Sequence, residues 1–201
     1  MCVIAICKNK IPSCEDIKKI AKQNPDGMGF AYNLDGKIHW EKGFSNPDEF
    51  YQRVSRLPLP VVLHFRQGTV GGKIPELTHP FPVSWRVELD LEGDCNKVLF
   101  HNGHWANWKK AMLMMSIKSD KPVPKGPWSD SRAIAYMVKT KGESILQFLN
   151  EKIVILSRSG IRYWGNFVEC EGNLYSSLGW NFTENYTKHY HYEKFLDDSF
   201  I

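Results

Sequence analysis

The apolar residues of this chain fall into short continuous runs and helical stripes, separated by turn residues. Residues 2–6 form an apolar run that predicts a buried strand. Ser13, Cys14, Glu15 and Asp16 resemble a capping box that opens a helix reaching about Gln23. Asn24, Pro25, Asp26 and Gly27 break that helix. Residues 28–32 and 37–41 predict a hairpin around Asp35 and Gly36. Asn46, Pro47, Asp48 and Glu49 supply an N-cap, an N1 proline and early acids for a second helix, with Phe50, Val54 and Leu57 apolar and Pro58 and Pro60 ending it. Residues 61–65 predict a strong strand, 67–82 a loop with glycine and proline, 84–91 an alternating strand, 92–94 a turn and 97–101 another strand that stops at Asn102 and Gly103.

Trp105, Trp108, Ala111, Met112 and Met115 recur at helical spacing, which fits a core-facing stripe better than a cofactor box. Residues 118–127 read as a loop. Ser129 opens a third helical segment ending near Lys139, and residues 143–149 predict a further helix. Strands are expected at 153–156, 161–164 and 174–177, with 167–169 a candidate fourth. Strands, then helices, then more strands lack the regular alternation of a doubly wound sheet. The pattern predicts a layered α+β domain in which two sheets are covered by helices. The 201 residues suit one domain, 1–201, with residues 181–201 as a C-terminal tail wrapped on it.

Composition narrows the function classes. A hydrophobic content of 42% supports a real core. No apolar run approaches the ~20 residues of a membrane span, and no basic stretch followed by an apolar one marks a secretory signal. The net charge of +4 comes from scattered lysines, which fits a solvated surface better than a nucleic-acid track. The five cysteines are Cys2, Cys7, Cys14, Cys95 and Cys170; the odd count and absence of a CxxC pair favour neither a disulfide framework nor a zinc knuckle. A reducing, cytoplasmic setting is the expectation. His189 and His191 lack companion ligands at suitable spacing, so no metal is expected.

The chemistry begins at Cys2, directly behind Met1. Cysteine is small enough for the initiator methionine to be removed, leaving a thiol nucleophile and a free α-amine base on one residue. The two groups titrate near ~8.5 and ~8, both usable close to neutrality. Taken alone, Cys2 reads as the start of a buried strand. Three further polar clusters fall at strand ends or helix starts: His64-Phe65-Arg66-Gln67-Gly68-Thr69-Val70-Gly71, His101-Asn102-Gly103 and Ser129-Asp130-Ser131. Each has a plain structural alternative. Arg66 fits a surface ion pair, Asn102-Gly103 a common turn and Asp130 a helix cap. Thr69, Gly68 and Gly71 can simply shape a loop, while His79 and His101 suit structural positions and His104 a helix start.

In this order, and with Asp26-Gly27-Met28-Gly29 and Thr78-His79-Pro80-Phe81, the clusters resemble the glutaminase domain of class II glutamine amidotransferases, within the N-terminal nucleophile hydrolase superfamily. The likeness runs from Cys2 to about residue 140. It implies a four-layer αββα sandwich of two mainly antiparallel sheets. It also implies a Cys2 nucleophile attacking the γ-carboxamide of glutamine, with Asn102 and Gly103 holding the oxyanion. Arg66 would clamp the substrate carboxylate, Asp130 would take its ammonium, Thr69 would join them in binding substrate, and Gly68 and His79 would support the site. No cofactor is implied. Val70 stands where many members carry histidine, residues 86–96 look like an extra charged hairpin, and the chain is too short to hold a synthase domain as well. The expected activity is glutamine hydrolysis, with ammonia passed to a separate synthetase. Hydrolysis of a γ-glutamyl compound, or a non-catalytic module keeping the fold, are the alternatives; nucleic-acid binding is a weaker one.

Overall fold

Alternation within the apolar runs builds the layers. The computed structural model describes residues 1–118 and 123–181. The expected tail beyond residue 181, with His189 and His191, lies outside the described residues. In chain order the elements are β1 (Val3–Cys7), α1 (Cys14–Gln23), β2 (Met28–Leu34), β3 (Lys37–Phe44), α2 (Pro47–Val54), β4 (Val61–Phe65), a 3-10 turn (Pro75–Leu77), β5 (Phe81–Pro82), β6 (Glu92–Cys95) and β7 (Lys97–Asn102). They continue with α3 (Trp108–Lys118), α4 (Asp130–Lys141), a second 3-10 segment (Glu143–Phe148), β8 (Lys152–Ser157), β9 (Gly160–Trp164), β10 (Val168–Cys170) and β11 (Asn173–Tyr175). A 7-stranded sheet has the order β10-β11-β1-β4-β2-β3-β6, and a 4-stranded sheet the order β5-β7-β8-β9. Every pairing is antiparallel.

β1 is buried on both faces, and its period of two divides it between two cores. Val3, Ala5 and Cys7 join Leu63 and Phe65 of β4 and Phe30 of β2 against Ile17 and Ile20 of α1 and Phe50 and Val54 of α2. Ile4 and Ile6 point the other way. With Ala31, Ile38 and Val62 they meet Val98 and Phe100 of β7 and Val154 and Leu156 of β8 between the sheets. The outer face of the second sheet, through Phe81, Leu99, Ile153 and Ile155, packs on Met112 of α3 and on Ala133, Ile134 and Tyr136 of α4. Helices, sheet, sheet and helices therefore form four layers, the two-sheet sandwich expected from the sequence.

Local signals start the helices where expected. The hydroxyls of Ser13 and Ser129 accept the N–H groups of Asp16 and Arg132, and the Asn46 side chain accepts that of Asp48. The β2–β3 hairpin turns through Asp35 and Gly36, both at positive φ (51° and 75°), as a two-residue turn of this hand requires.

Residues 84–91 do not form the expected strand, because side chains claim their backbone. The Ser84 hydroxyl accepts the N–H groups of Arg86 and Val87. The carbonyls of Arg86 and Val87 are taken by the buried Arg132 guanidinium. Val87 is forced to a φ of 43°. The expected turn at 92–94 is instead β6, an added edge strand on β3, with Gly93 opposite Trp40. A Cβ at Gly93 would lie 3.1 Å from the Trp40 indole, so only glycine lets the ring lie flat there. Residues 86–96 thus lay an edge strand on the first sheet and do not form a free hairpin. Trp105 precedes α3, residues 143–148 form 3-10 turns, and β11 ends at Tyr175.

Candidate active site

The antiparallel register of β1 and β4 opposes Val3 to Phe65, which brings Cys2 beside the chain leaving β4. The Cys2 sulfur accepts the Gln67 N–H at 3.3 Å and lies 3.5 Å from the Gln67 carbonyl oxygen. The Met1 ammonium donates to the Gln67 side-chain oxygen. Burial pushes the Cys2 thiol above its ordinary range. The Gln67 N–H, the terminal ammonium and Arg66 pull it down, and Asp130 pushes it up. Its charge is therefore set by groups from both walls of the cleft.

Arg66 extends β4 by one residue pairing: its N–H donates to the Gly27 carbonyl at 2.8 Å, and its carbonyl accepts the Asp26 N–H at 3.0 Å. Its side chain is 3% exposed. Nη2 donates to the carbonyls of Gly72 at 2.6 Å and Val70 at 3.3 Å, so the guanidinium organises the loop that follows it. Nη1 is buried without a partner among the described residues. A Cβ at Gly68 would sit 3.1 Å from the guanidinium carbon, which explains a glycine against that flat face. Burial lowers the affinity of Arg66 for its proton, while Cys2, Asp26 and Asp130 raise it. Asp26 ties down both ends of the loop, accepting the Gly68 N–H at 2.8 Å and pairing with Lys73 at 2.9 Å. Burial of its carboxyl works against ionisation, but Lys73, the Gly68 N–H and Arg66 outweigh it and hold the pKa below the usual range.

The opposite wall comes from the end of β7 and the start of α4. Ser129 is the cap of α4, so Asp130 is free of that duty. Its Oδ2 accepts the Trp105 N–H at 3.1 Å and its Oδ1 the Ser131 N–H at 2.9 Å. A narrow cleft between the walls is lined by Cys2, Arg66, Gly68, Thr69, His79, Gly103 and Asp130, together with His101, Ser131 and neighbouring residues. The structure thus gathers seven of the eight residues singled out from sequence. The eighth, Asn102, does not line the cleft; its amide Nδ2 donates to Ser176 Oγ at 2.8 Å, which also accepts the Ile4 N–H at 2.8 Å.

Behind the two imidazoles that line the cleft, His79 and His101, lies a third, His64. The rings of His64 and His79 are 3.9 Å apart, and His64 Nε2 faces the His101 carbonyl at 3.2 Å. Burial pushes His64 down to about 3 and His79 well below its ordinary range, so both are neutral at pH 7. Among the described residues no group of three or more histidines, cysteines or acids could hold a metal ion, and no helix is long and apolar enough to cross a membrane. Sequence reasoning missed Asp26 as a loop anchor and Ser176 as the Asn102 partner, because both act through contacts distant in sequence.

Two of the solved structures that resemble the chain show what it is similar to. One is the allosteric regulatory enzyme of purine biosynthesis, 15% identical with a TM-score of 0.59; the match covers 87% of this chain and 41% of that one. The other is glutamine phosphoribosylpyrophosphate amidotransferase from B. subtilis complexed with ADP and GMP, 14% identical with a TM-score of 0.59 and the same coverage, 87% and 41%. The chain therefore spans about two fifths of the length of either. No family model matches the chain, and no curated protein matches its sequence. At such low identity the likeness is one of fold alone, the sandwich of two antiparallel sheets between helices described above.

Proposed function

We propose that the chain is a glutaminase of the amidotransferase type, with Cys2 as its nucleophile after Met1 is removed. The observation that carries this reading is the buried Arg66 guanidinium, whose Nη1 lacks a partner among the described residues and which shares one cleft with the Asp130 carboxylate and the Cys2 sulfur. A cation and an anion on opposite walls suit the α-carboxylate and α-ammonium of a free amino acid. The side-chain amide would then reach the thiol. The unspent Nη1 suits a charge-assisted pair with a carboxylate, and lysine lacks that fork.

In this mechanism the Cys2 α-amine takes the thiol proton, through a water where needed. The sulfur adds to the γ-carbonyl carbon of glutamine, and the carbonyl electrons move onto oxygen. The Gly103 N–H stabilises that oxygen, and the Asn102 amide would assist with the hydrogen not given to Ser176. A single such donor is worth on the order of 3 kcal/mol in the transition state. The amine returns the proton to the leaving nitrogen, ammonia departs and a thioester remains. Water then adds to the thioester, its proton returns to sulfur and glutamate leaves. The whole of 1–201 would act as one glutaminase domain, and an acceptor for the ammonia would belong to a separate synthetase.

Intact mass before and after exposure to a glutamine-like diazoketone tests the reading. The expected result is loss of Met1 and one adduct that maps to Cys2. A Cys2→Ala variant should fold, remain unlabelled and release no ammonia from glutamine. Retained Met1, or a clipped chain that stays unlabelled, overturns the mechanism. A panel of γ-glutamyl amides run beside glutamine identifies what the γ-carbonyl carries.

A further inference from the structure

Glu151 and His101 lie beneath the Asn102-Gly103 turn, and the mechanism above assigns neither a role. Glu151 immediately precedes β8, whose first residue, Lys152, is the register partner of Asn102. Glu151 Oε2 accepts the His104 N–H at 3.2 Å and stands 3.7 Å from His101 Nε2. Its carboxyl is held below the ordinary range, chiefly by His101 and against the effect of burial.

The same pair explains why residue 103 is glycine. Its backbone is not in the left-handed region, so conformation makes no such demand. Space does: a Cβ there would lie 1.5 Å from Glu151 Oε2, 2.6 Å from its Cδ and 2.9 Å from His101 Nε2. The carboxylate fills the volume a side chain would take and presses on the turn from below. On the other side of the imidazole, His101 Nδ1 faces Ser131 Oγ at 2.9 Å. Ser131 meets Asp130 Oδ1 through its N–H at 2.9 Å and its hydroxyl at 3.4 Å. A line of neighbours therefore runs Glu151–His101–Ser131–Asp130, its first step an ion-pair distance of 3.7 Å and not a hydrogen bond. From the same strand start, Lys152 Nζ donates to the carbonyl of Ser176 at 2.5 Å, the residue that holds the Asn102 amide.

We propose that Glu151 is a positioning residue for the glutaminase reaction, which with His101 clamps the Gly103–His104 turn and locks its spacing to Asp130. The inference rests on the function proposed above. The clamp matters because a donor displaced by about 1 Å can cost on the order of 100-fold in rate.

Steady-state glutamine hydrolysis by Glu151→Ala and Glu151→Gln tests it, with iodoacetamide alkylation of Cys2 and the thermal midpoint as controls. Glutamine retains the size and an oxygen for the His104 N–H; alanine retains neither. The alanine variant should lose on the order of 100-fold in kcat, with a much smaller change in KM, and its Cys2 should alkylate at the wild-type rate. The glutamine variant should lose less, roughly three- to tenfold in kcat, because the acceptor survives but its charge does not. An unchanged kcat in the alanine variant overturns the clamp. So does a kcat loss matched by slower alkylation, or a glutamine variant as poor as the alanine one. Should the alanine variant fail to fold, the glutamine variant decides: an unchanged kcat overturns the proposal and a selective kcat loss upholds it. A wild-type protein that neither hydrolyses glutamine nor takes the diazoketone label overturns the glutaminase reading, and this inference with it. An active wild type with unaffected variants overturns the clamp alone.

Discussion

The two walls of the cleft hold their charges in opposite ways. On the Asp130 wall both carboxylate oxygens accept backbone N–H groups, and Glu151 packs under Gly103. On the Arg66 wall the loop folds round its own arginine through two carbonyls and the Asp26 carboxylate, and one guanidinium nitrogen remains unspent. The first wall is preorganised by elements of the sandwich, a β-strand end and a helix start. The second is organised by a loop whose buried cation still requires an anion. An unpaired buried donor costs on the order of 1–3 kcal/mol, and more when charged, so in the proposed reaction a substrate carboxylate would recover on binding what the empty loop gives up. Under the proposed function the first wall would supply rigid donors to the reacting centre and the second an unsatisfied cation to the substrate's free end, and two such devices should fail differently.

The largest expected failure is on the rigid wall. Gly103→Ala places a methyl where Glu151 Oε2 now lies, so the turn or the carboxylate must move. Stopped assays should show kcat reduced on the order of 100-fold while KM for glutamine changes little. A variant with wild-type kcat would mean either that the carboxylate swings aside and the turn keeps its place without it, or that the turn tolerates displacement; both would remove Glu151 as the clamp.

Arg66→Lys should fail through binding. Lysine keeps a charge but loses the planar fork, and one charge-assisted hydrogen bond is worth about 1.5–3 kcal/mol. KM should therefore rise roughly 10- to 100-fold, with kcat falling far less. Arg66→Gln separates charge from shape. The guanidinium is one of the groups that lower the Cys2 thiol pKa, so its removal should raise that pKa further. Alkylation of Cys2 by iodoacetamide, which needs no substrate carboxylate, should then rise with pH later than in wild type, while the lysine variant should track it. Coincident profiles for all three proteins would remove Arg66 from the neighbourhood that sets the thiol.

Much of this was legible locally, and the physics says which part. Helix starts at Ser13, Asn46 and Ser129 are written in side chains that bond to backbone N–H groups two or three residues away. Strands buried on both faces leave continuous apolar runs, as at residues 61–65. Cys2, Arg66, Gly103 and Asp130 were visible because strand ends and helix starts are where polar residues interrupt such runs. The failures are long-range. Arg132 captures the backbone of residues 86–87 from the far side of a loop, so a pattern that alternates like a strand never pairs. Glu151 reaches the Gly103 turn only because β7 and β8 are neighbours, and nothing around it in the sequence announces that. Asn102 looked like a free donor and proves half-committed to Ser176, a partner 74 residues away.

The smallest effect should come from the ion pair that closes the loop. Lys73 is 67% exposed on its side chain, whereas the Asp26 side chain is 9% exposed and also holds the Gly68 N–H. An exposed pair of this kind contributes about 0.2–1 kcal/mol and is screened by salt. Lys73→Ala should therefore raise KM by less than about fivefold and leave kcat alone, since 1.4 kcal/mol is about tenfold. Added salt should raise the wild-type KM toward that of the variant and move the variant less. Asp26→Ala should do more than Lys73→Ala, because it also strands the Gly68 N–H and removes a carboxylate that acts on the Arg66 guanidinium. If the two variants prove equal, the loop is held by the ion pair and not by the buried hydrogen bond. The Arg66 wall would then be as salt-sensitive as any surface contact, and its contrast with the Asp130 wall would sharpen into one between screened and unscreened electrostatics.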